Sequence, residues 1–149
     1  MSQMTDQRSD PRTDQDPETQ EKNVAKATPR QVLVIEDEPN IIEAISFILS
    51  RDGWDVATHS NGETAVEAVR ELSPDALILD VMLPGRSGYD ILQDLRTDDA
   101  TRDLPVLMLT ARGQKNDREL AERLGVNKFM TKPFSNAEVL ETMRALVGV

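Results

Sequence analysis

The sequence predicts an α/β fold: a doubly wound, five-stranded parallel sheet covered on both faces by five helices. Three observations predict it. Short, wholly apolar runs recur along the chain, as strands buried on both faces require. Each is followed by a stretch whose apolar residues recur at helical spacing, so strands and helices alternate. Glycine, proline, Asn or Asp punctuates most junctions.

The elements follow in order from Gln31. Val32-Leu33-Val34-Ile35 is a β-branched apolar run and makes the first strand. Pro39 suits the first turn of a helix, and Ile41, Ile42, Ile45, Ile48 and Leu49 then share one face until Asp52-Gly53 ends it. Trp54 to Thr58 reads as the second strand, and Trp54 as a packing residue. Asn61-Gly62 turns the chain into a helix carrying Ala65, Val66, Ala68, Val69 and Leu72, which Ser73-Pro74-Asp75 breaks. Ala76-Leu77-Ile78-Leu79 is the third strand and ends at Asp80. A loop holding Pro84-Gly85 and Ser87-Gly88 leads to a helix over Tyr89 to Arg96. Pro105 opens the fourth strand, Val106-Leu107-Met108-Leu109, which ends at Thr110. Lys115 to Leu124 is helical and Gly125 stops it; Lys128-Phe129-Met130 is the short fifth strand. Ser135 and Glu138 have capping-box spacing and start the last helix, which presents Val139, Leu140, Met143 and Leu146 on one side.

Residues 1–30 read differently. They are rich in Asp, Gln, Thr, Arg and Pro and nearly devoid of large apolar side chains, so they read as a disordered N-terminal tail before a single domain over residues 31–149. The chain has no cysteine, which is compatible with a reducing cytosol. Its start lacks an apolar leader, and no apolar run approaches the roughly 18 residues of a membrane span, so a cytoplasmic protein without membrane insertion is expected. A formal net charge of -10, from 27 acids against 17 lysines and arginines, argues against direct binding to nucleic acid or anionic lipid.

Crossovers of this length are right-handed, and the expected order is the flavodoxin-like 2-1-3-4-5, with a switch point between the first and third strands. Ligands of such folds sit there, at the carboxyl ends of the strands. Neighbouring strands lie about 4.8 Å apart, so Glu36 and Asp37 would share a pocket with Asp80. Thr110 would stand on the other flank of Asp80, and Lys132 is long enough to reach in from the next strand. Carboxylates so close repel one another, and a hard divalent cation relieves the conflict. Oxygen donors without histidine or cysteine point to Mg²⁺ rather than Zn²⁺. Asp80, central in the pocket, is the candidate nucleophile toward a phosphoryl group, with the Lys132 ammonium and the Thr110 hydroxyl to hold phosphoryl oxygens. Taken singly, each residue has a plainer reading: a solvated acid, an ordinary turn, an unremarked threonine. The four together, each after its own apolar run, favour the chemical one.

Val-Leu-Val-Ile-Glu-Asp-Glu-Pro, Leu-Ile-Leu-Asp-Val-Met-Leu-Pro-Gly-Arg-Ser-Gly, Met-Leu-Thr-Ala and Phe-Met-Thr-Lys-Pro-Phe resemble segments of the response-regulator receiver domains of two-component signalling. The resemblance covers residues 31 to about 147. It implies that Asp80 accepts a phosphoryl group from a histidine kinase or a histidine phosphotransfer protein. It also implies Mg²⁺ bound by Asp37, Asp80 and the backbone carbonyl of Met82, with Glu36 helping through water. Thr110 matches the family's switch hydroxyl, Phe129 its switch aromatic and Lys132 its lysine, with the Lys132-Pro133 bond cis. Two positions depart from the commonest pattern: Glu36 stands where Asp is usual, and Phe129 lacks a hydroxyl. Met82 and Arg112 occupy positions that tune the lifetime of the acyl phosphate.

Phosphorylation would draw Thr110 inward, with Phe129 following, and reshape the surface of the fourth helix, fifth strand and fifth helix. Arg118, Glu119, Glu122, Glu141 and Arg144 would give that surface a mixed-charge patch for a downstream protein; an ordinary solvated helix face is the plainer reading. His59, at a strand end, reads as a surface residue rather than a phosphodonor. With the chain stopping at Gly148-Val149, a stand-alone receiver is expected, acting through partner proteins or a phosphorelay. It would be no enzyme beyond its own phosphorylation and dephosphorylation. Other readings stay open: an aspartyl-nucleophile phosphatase, whose second Asp two residues on is replaced here by Met82; a pseudo-receiver that only docks; and a fragment of a longer regulator.

Overall fold

In the computed structural model the described residues are 29–111 and 115–149. The expected tail over residues 1–30 therefore falls outside them but for Pro29 and Arg30, and Arg112 also lies outside. The five expected strands form as β1 (Gln31–Ile35), β2 (Asp55–His59), β3 (Ala76–Asp80), β4 (Val106–Thr110) and β5 (Lys128–Thr131). All pair in parallel, in the order β2-β1-β3-β4-β5. The intervening helices are α1 (Pro39–Arg51), α2 (Ala65–Leu72, after a 3₁₀ turn at Gly62–Thr64), α3 (Gly88–Thr97), α4 (Lys115–Arg123) and α5 (Asn136–Val147). This is the expected flavodoxin-like sheet with five helices.

Alternation along the strands divides the core in two. Leu33, Ile35, Leu77, Leu79, Val106 and Met108 face α2, α3 and α4, where Val69, Ile91, Leu92, Leu95 and Ala121 meet them. Val32, Val34, Ile78, Leu107 and Leu109 face α1 and α5, where Ile45, Leu49, Val139 and Met143 close the layer. Burying both faces of the central strands is what demands runs with no polar interruption.

Element ends follow local hydrogen bonding. Pro39 is at the start of α1, and the N–H groups of Asp52 and Gly53 close its last turn on Leu49 and Ser50. Gly53 sits at φ +93°, a left-handed conformation that suits glycine. Trp54 is buried but stands outside β2, because its N–H bonds the Leu49 carbonyl at the helix end. Helix α3 starts one residue before the expected Tyr89, because the Ser87 hydroxyl accepts the Asp90 N–H at 3.2 Å and caps it. The capping box of α5 is complete: Ser135 N–H to Glu138 at 2.8 Å and Glu138 N–H to Ser135 at 3.1 Å. Strand β5 runs one residue beyond Met130, because Thr131 pairs with Thr110. No helix among the described residues is long and apolar enough to cross a membrane.

Candidate functional site

The carboxyl ends of β1, β3 and β4 and the chain after β5 bring the polar residues together. Asp80 ends the central strand β3, 2% exposed, beside Leu109 in register. Glu36 follows β1 and is wholly buried, because its N–H continues the sheet by bonding the His59 carbonyl at 3.0 Å. One Glu36 oxygen accepts the N–H groups of Asp37 and Glu38, each at 3.1 Å. Its other oxygen, Oε1, takes no well-aligned hydrogen bond but lies 3.0 Å from the Lys132 ammonium. Thr110 ends β4 and is buried. The Lys132 N–H bonds the Thr110 carbonyl at 2.8 Å, and the Lys132-Pro133 bond is cis.

Lys132 Nζ sits among three carboxylates: Glu38 at 2.8 Å, Glu36 at 3.0 Å and Asp80 at 3.4 Å. Oxygens of Glu36, Glu38 and Asp80 lie within 4.8 Å of one another. The order of residues after β1 predicts Asp37, not Glu38, in the pocket. The structure puts the Glu38 carboxylate among these oxygens and leaves Asp37 exposed, outside that trio. Met82 is exposed, and its N–H reaches Asp80 Oδ1 at 3.4 Å. Phe129 is half-buried on β5 with the Arg118 guanidinium over its ring, 4.9 Å from the centroid.

Of the residues expected on the partner surface, Arg118, Glu119 and Glu122 are exposed on α4, and Glu141 and Arg144 on α5. Glu119 pairs with Lys115 at 4.0 Å. Arg144 is directed elsewhere: it makes a two-pronged ion pair with Asp52 at the end of α1. Its hydrogen bond holds the Asp52 carboxyl below the usual carboxylate range. His59 is partly exposed and bonds the Thr64 hydroxyl at 2.7 Å.

The electrostatics match crowded acids. Burial, and then the Glu36 charge, push the Asp80 carboxyl up from 3.8 to about 7, against the opposing pull of Lys132. For Lys132, burial disfavours the charge, but its contacts with Glu38 and Glu36 and the Asp80 charge outweigh that and raise its pKa. An acid whose pKa is higher in the folded state has a stability consequence of definite sign. Below pH 4 Asp80 is protonated whether folded or unfolded and exacts no penalty. As pH rises from about 4 to about 7 the unfolded chain ionises first, and folding stability falls. The fall at neutral pH should be about 2 kcal/mol, allowing for solvent at the pocket mouth. Urea unfolding of the metal-free protein across this range checks it. In an Asp80→Asn variant that part of the pH dependence should vanish.

Residues 32–144 match the family described as the response regulator receiver domain. The chain belongs to that family. Receiver relatives include the "Probable transcriptional regulatory protein TcrX" of Mycobacterium tuberculosis, 42% identical over 83% of this chain and 52% of that one. The phosphate regulon transcriptional regulatory protein PhoB of Escherichia coli is 39% identical over 79% of this chain and 52% of its own. This chain thus spans about half the length of those regulators. Among solved structures, the receiver domain of the Pseudomonas aeruginosa sensor histidine kinase PA1611 matches with a TM-score of 0.75 and 29% identity, over 82% of this chain and all of that one. That structure holds a magnesium ion coordinated in its active-site cleft.

The donor set of this receiver fits the same ion. Glu36 and Asp80 bring carboxylate oxygens close together, and one of these, Glu36 Oε1, is buried without a well-aligned hydrogen bond. Buried acids lacking enough donors are what a hard cation satisfies.

Proposed function

We propose that this receiver takes a phosphoryl group onto Asp80 from a phosphohistidine of a histidine kinase or phosphotransfer protein, with Mg²⁺ bound beside it, and so switches a protein-binding surface. What carries the reading is the Asp80 carboxylate at the end of the central strand, 3.4 Å from the Lys132 ammonium and facing a buried Glu36. Asp37, Asp80 and the Met82 carbonyl would hold the metal, with Glu36 helping through water, as the resemblance implies. Bound Mg²⁺ supplies positive charge to the carboxylates and to the incoming phosphoryl oxygens.

The chain's own groups do the rest. An oxygen of ionised Asp80 forms a bond to phosphorus while the donor's phosphorus–nitrogen bond breaks and the imidazole keeps the electron pair. The product is an acyl phosphate. Lys132 and the Thr110 hydroxyl hold the phosphoryl oxygens, replacing water in a partly enclosed pocket. Without a cation, an Asp80 with a pKa near 7 is only partly ionised at neutral pH, so uptake should depend on metal. Intact-mass measurement after incubation with a small phosphodonor tests this: one phosphoryl group gained with Mg²⁺ and none without it. Steady phosphate release from many unrelated esters would instead favour the hydrolase.

The signal would leave through Thr110 and Phe129. With Thr110 drawn toward the phosphoryl group, Phe129 follows, and the face of α4, β5 and α5 changes shape for a downstream protein. A near-complete swing between two states needs about 5.5 kcal/mol of differential stabilisation. Thr110→Ala should therefore still accept the phosphoryl group but lose the coupled change. Amide chemical shifts in α4 and β5 should move on phosphorylation in the wild type and stay within about a fifth of that in the variant. Equal shifts in both would remove Thr110 from the switch.

A second reading rests on the relatives' names. TcrX and PhoB are named transcriptional regulatory proteins and are about twice as long as this match, so the receiver would serve as the input half of such a regulator. The acidic receiver itself is unsuited to contacting DNA. In either role it acts through binding, not as an enzyme on other substrates.

A further inference from the structure

The Lys132 ammonium has three protons and faces three carboxylates, at 2.8, 3.0 and 3.4 Å. To hold a phosphoryl oxygen at Asp80 it must release one of them. Glu36 is 0% exposed, and leaving it unpaired would strand a buried charge. The Glu38 side chain is 60% exposed, so water can solvate it once released. Glu38 also stands at the N-cap of α1 without using its side chain to cap that helix. Its carboxylate instead spans 94 residues of sequence to Lys132, joining the loop after β1 to the loop after β5.

We infer that Glu38 is a positioning residue for phosphoryl uptake: it parks the Lys132 ammonium at the mouth of the pocket and yields it to the phosphoryl group. This rests on the reading of Asp80 as acceptor. No bond of Lys132 or Glu38 forms or breaks covalently. The Asp80–phosphorus bond forms as the donor's bond to phosphorus breaks, and the ammonium exchanges a carboxylate partner for a phosphoryl oxygen. Glu38 also places a negative charge close to where the phosphoryl charge arrives, since its oxygen lies within 4.8 Å of one on Asp80. Both effects slow uptake, and both disappear when the charge is removed.

The test is Glu38→Gln, which keeps the shape and removes the charge. With saturating Mg²⁺ and acetyl phosphate as donor, initial uptake by intact mass should be about threefold faster than wild type at low salt. At about 1 M salt, where exposed charges are screened, the two proteins should converge. The Mg²⁺ dissociation constant, measured by calorimetry without donor, should change less than about threefold. The Lys132 ammonium protons, read by NMR without donor or metal, should exchange with water faster in the variant.

Equal ammonium exchange in the two proteins overturns the assignment whatever happens to phosphorylation. Unchanged uptake at low salt also overturns it. A Mg²⁺ affinity weakened about tenfold or more, with slower uptake, would make Glu38 a metal ligand instead. If the wild type takes up no phosphoryl group while ammonium exchange still differs, the parking contact stands and the reading of Asp80 as acceptor fails.

Discussion

Asp80→Asn should take up no phosphoryl group from any donor that labels the wild type, and it should melt at a higher temperature. The two results have one origin. The carboxylate at position 80 is placed for chemistry and not for stability: it is 2% exposed, it confronts Glu36, and its pKa is raised to about 7. An amide of the same shape keeps the packing and removes the charge, but it does not form the acyl phosphate. Lys132 retains Glu36 at 3.0 Å and Glu38 at 2.8 Å, so no cation is left without a partner. At neutral pH without metal the gain should be about 2 kcal/mol, or roughly 5 °C in melting temperature. Intact mass reads the first result and a thermal melt the second. A labelled Asn variant would place the acceptor at another residue. A lower melting temperature would mean that the Asp80–Lys132 attraction exceeds the repulsion from Glu36.

That conflict between function and stability explains what a single chain discloses. Ile35, Leu79 and Leu109 precede polar residues with no interruption, so strands buried on both faces, and the places where they end, can be read directly. Once β1 and β3 are neighbours, Glu36 and Asp80 must converge, and the register Ile35 to Leu79 brings them there. What stays hidden depends on side-chain reach. Glu38 and Lys132 are 94 positions apart, and nothing in hydrophobic periodicity links an exposed acid to a lysine beyond β5. Arg144 is similar: helical spacing puts it on the outer side of α5, but only the packing of α5 against α1 reveals that Asp52 takes it. One sign was available for Glu38. Three acids in succession before a helix exceed what one metal needs, and a surplus carboxylate beside a cationic site has to find a counter-charge.

Backbone proximity is the other thing that residue patterns hide, and Gly88 shows its consequence. Gly88→Ala should lose both stability and phosphoryl uptake. A Cβ built at this position falls 2.3 Å from the Asp80 carbonyl oxygen and 2.9 Å from Val81 Cα. Both are backbone atoms, and no rotamer change relieves the clash. Helix α3 must withdraw, and with it goes the 2.8 Å hydrogen bond from Gly88 N–H to the Val81 carbonyl. Overpacking of this kind costs about 1–3 kcal/mol. The strained atoms belong to the acceptor residue itself, so the Asp80 carboxylate moves relative to Lys132 and Thr110. A displacement of about 1 Å lowers the rate of an aligned transfer about 100-fold. Gly53→Ala supplies the contrast. Its φ of +93° makes the alanine strained, but nothing lies within 4 Å of the added Cβ, and it sits at the far end of α1 from the pocket. It should lose about 1 kcal/mol of stability and keep wild-type uptake. Urea unfolding together with intact-mass kinetics separates the two: equal destabilisation with normal uptake in both variants would mean that α3 can move without disturbing Asp80. Uptake lost only at Gly88 would show that the glycine is there to let a helix end rest on the acceptor's own peptide.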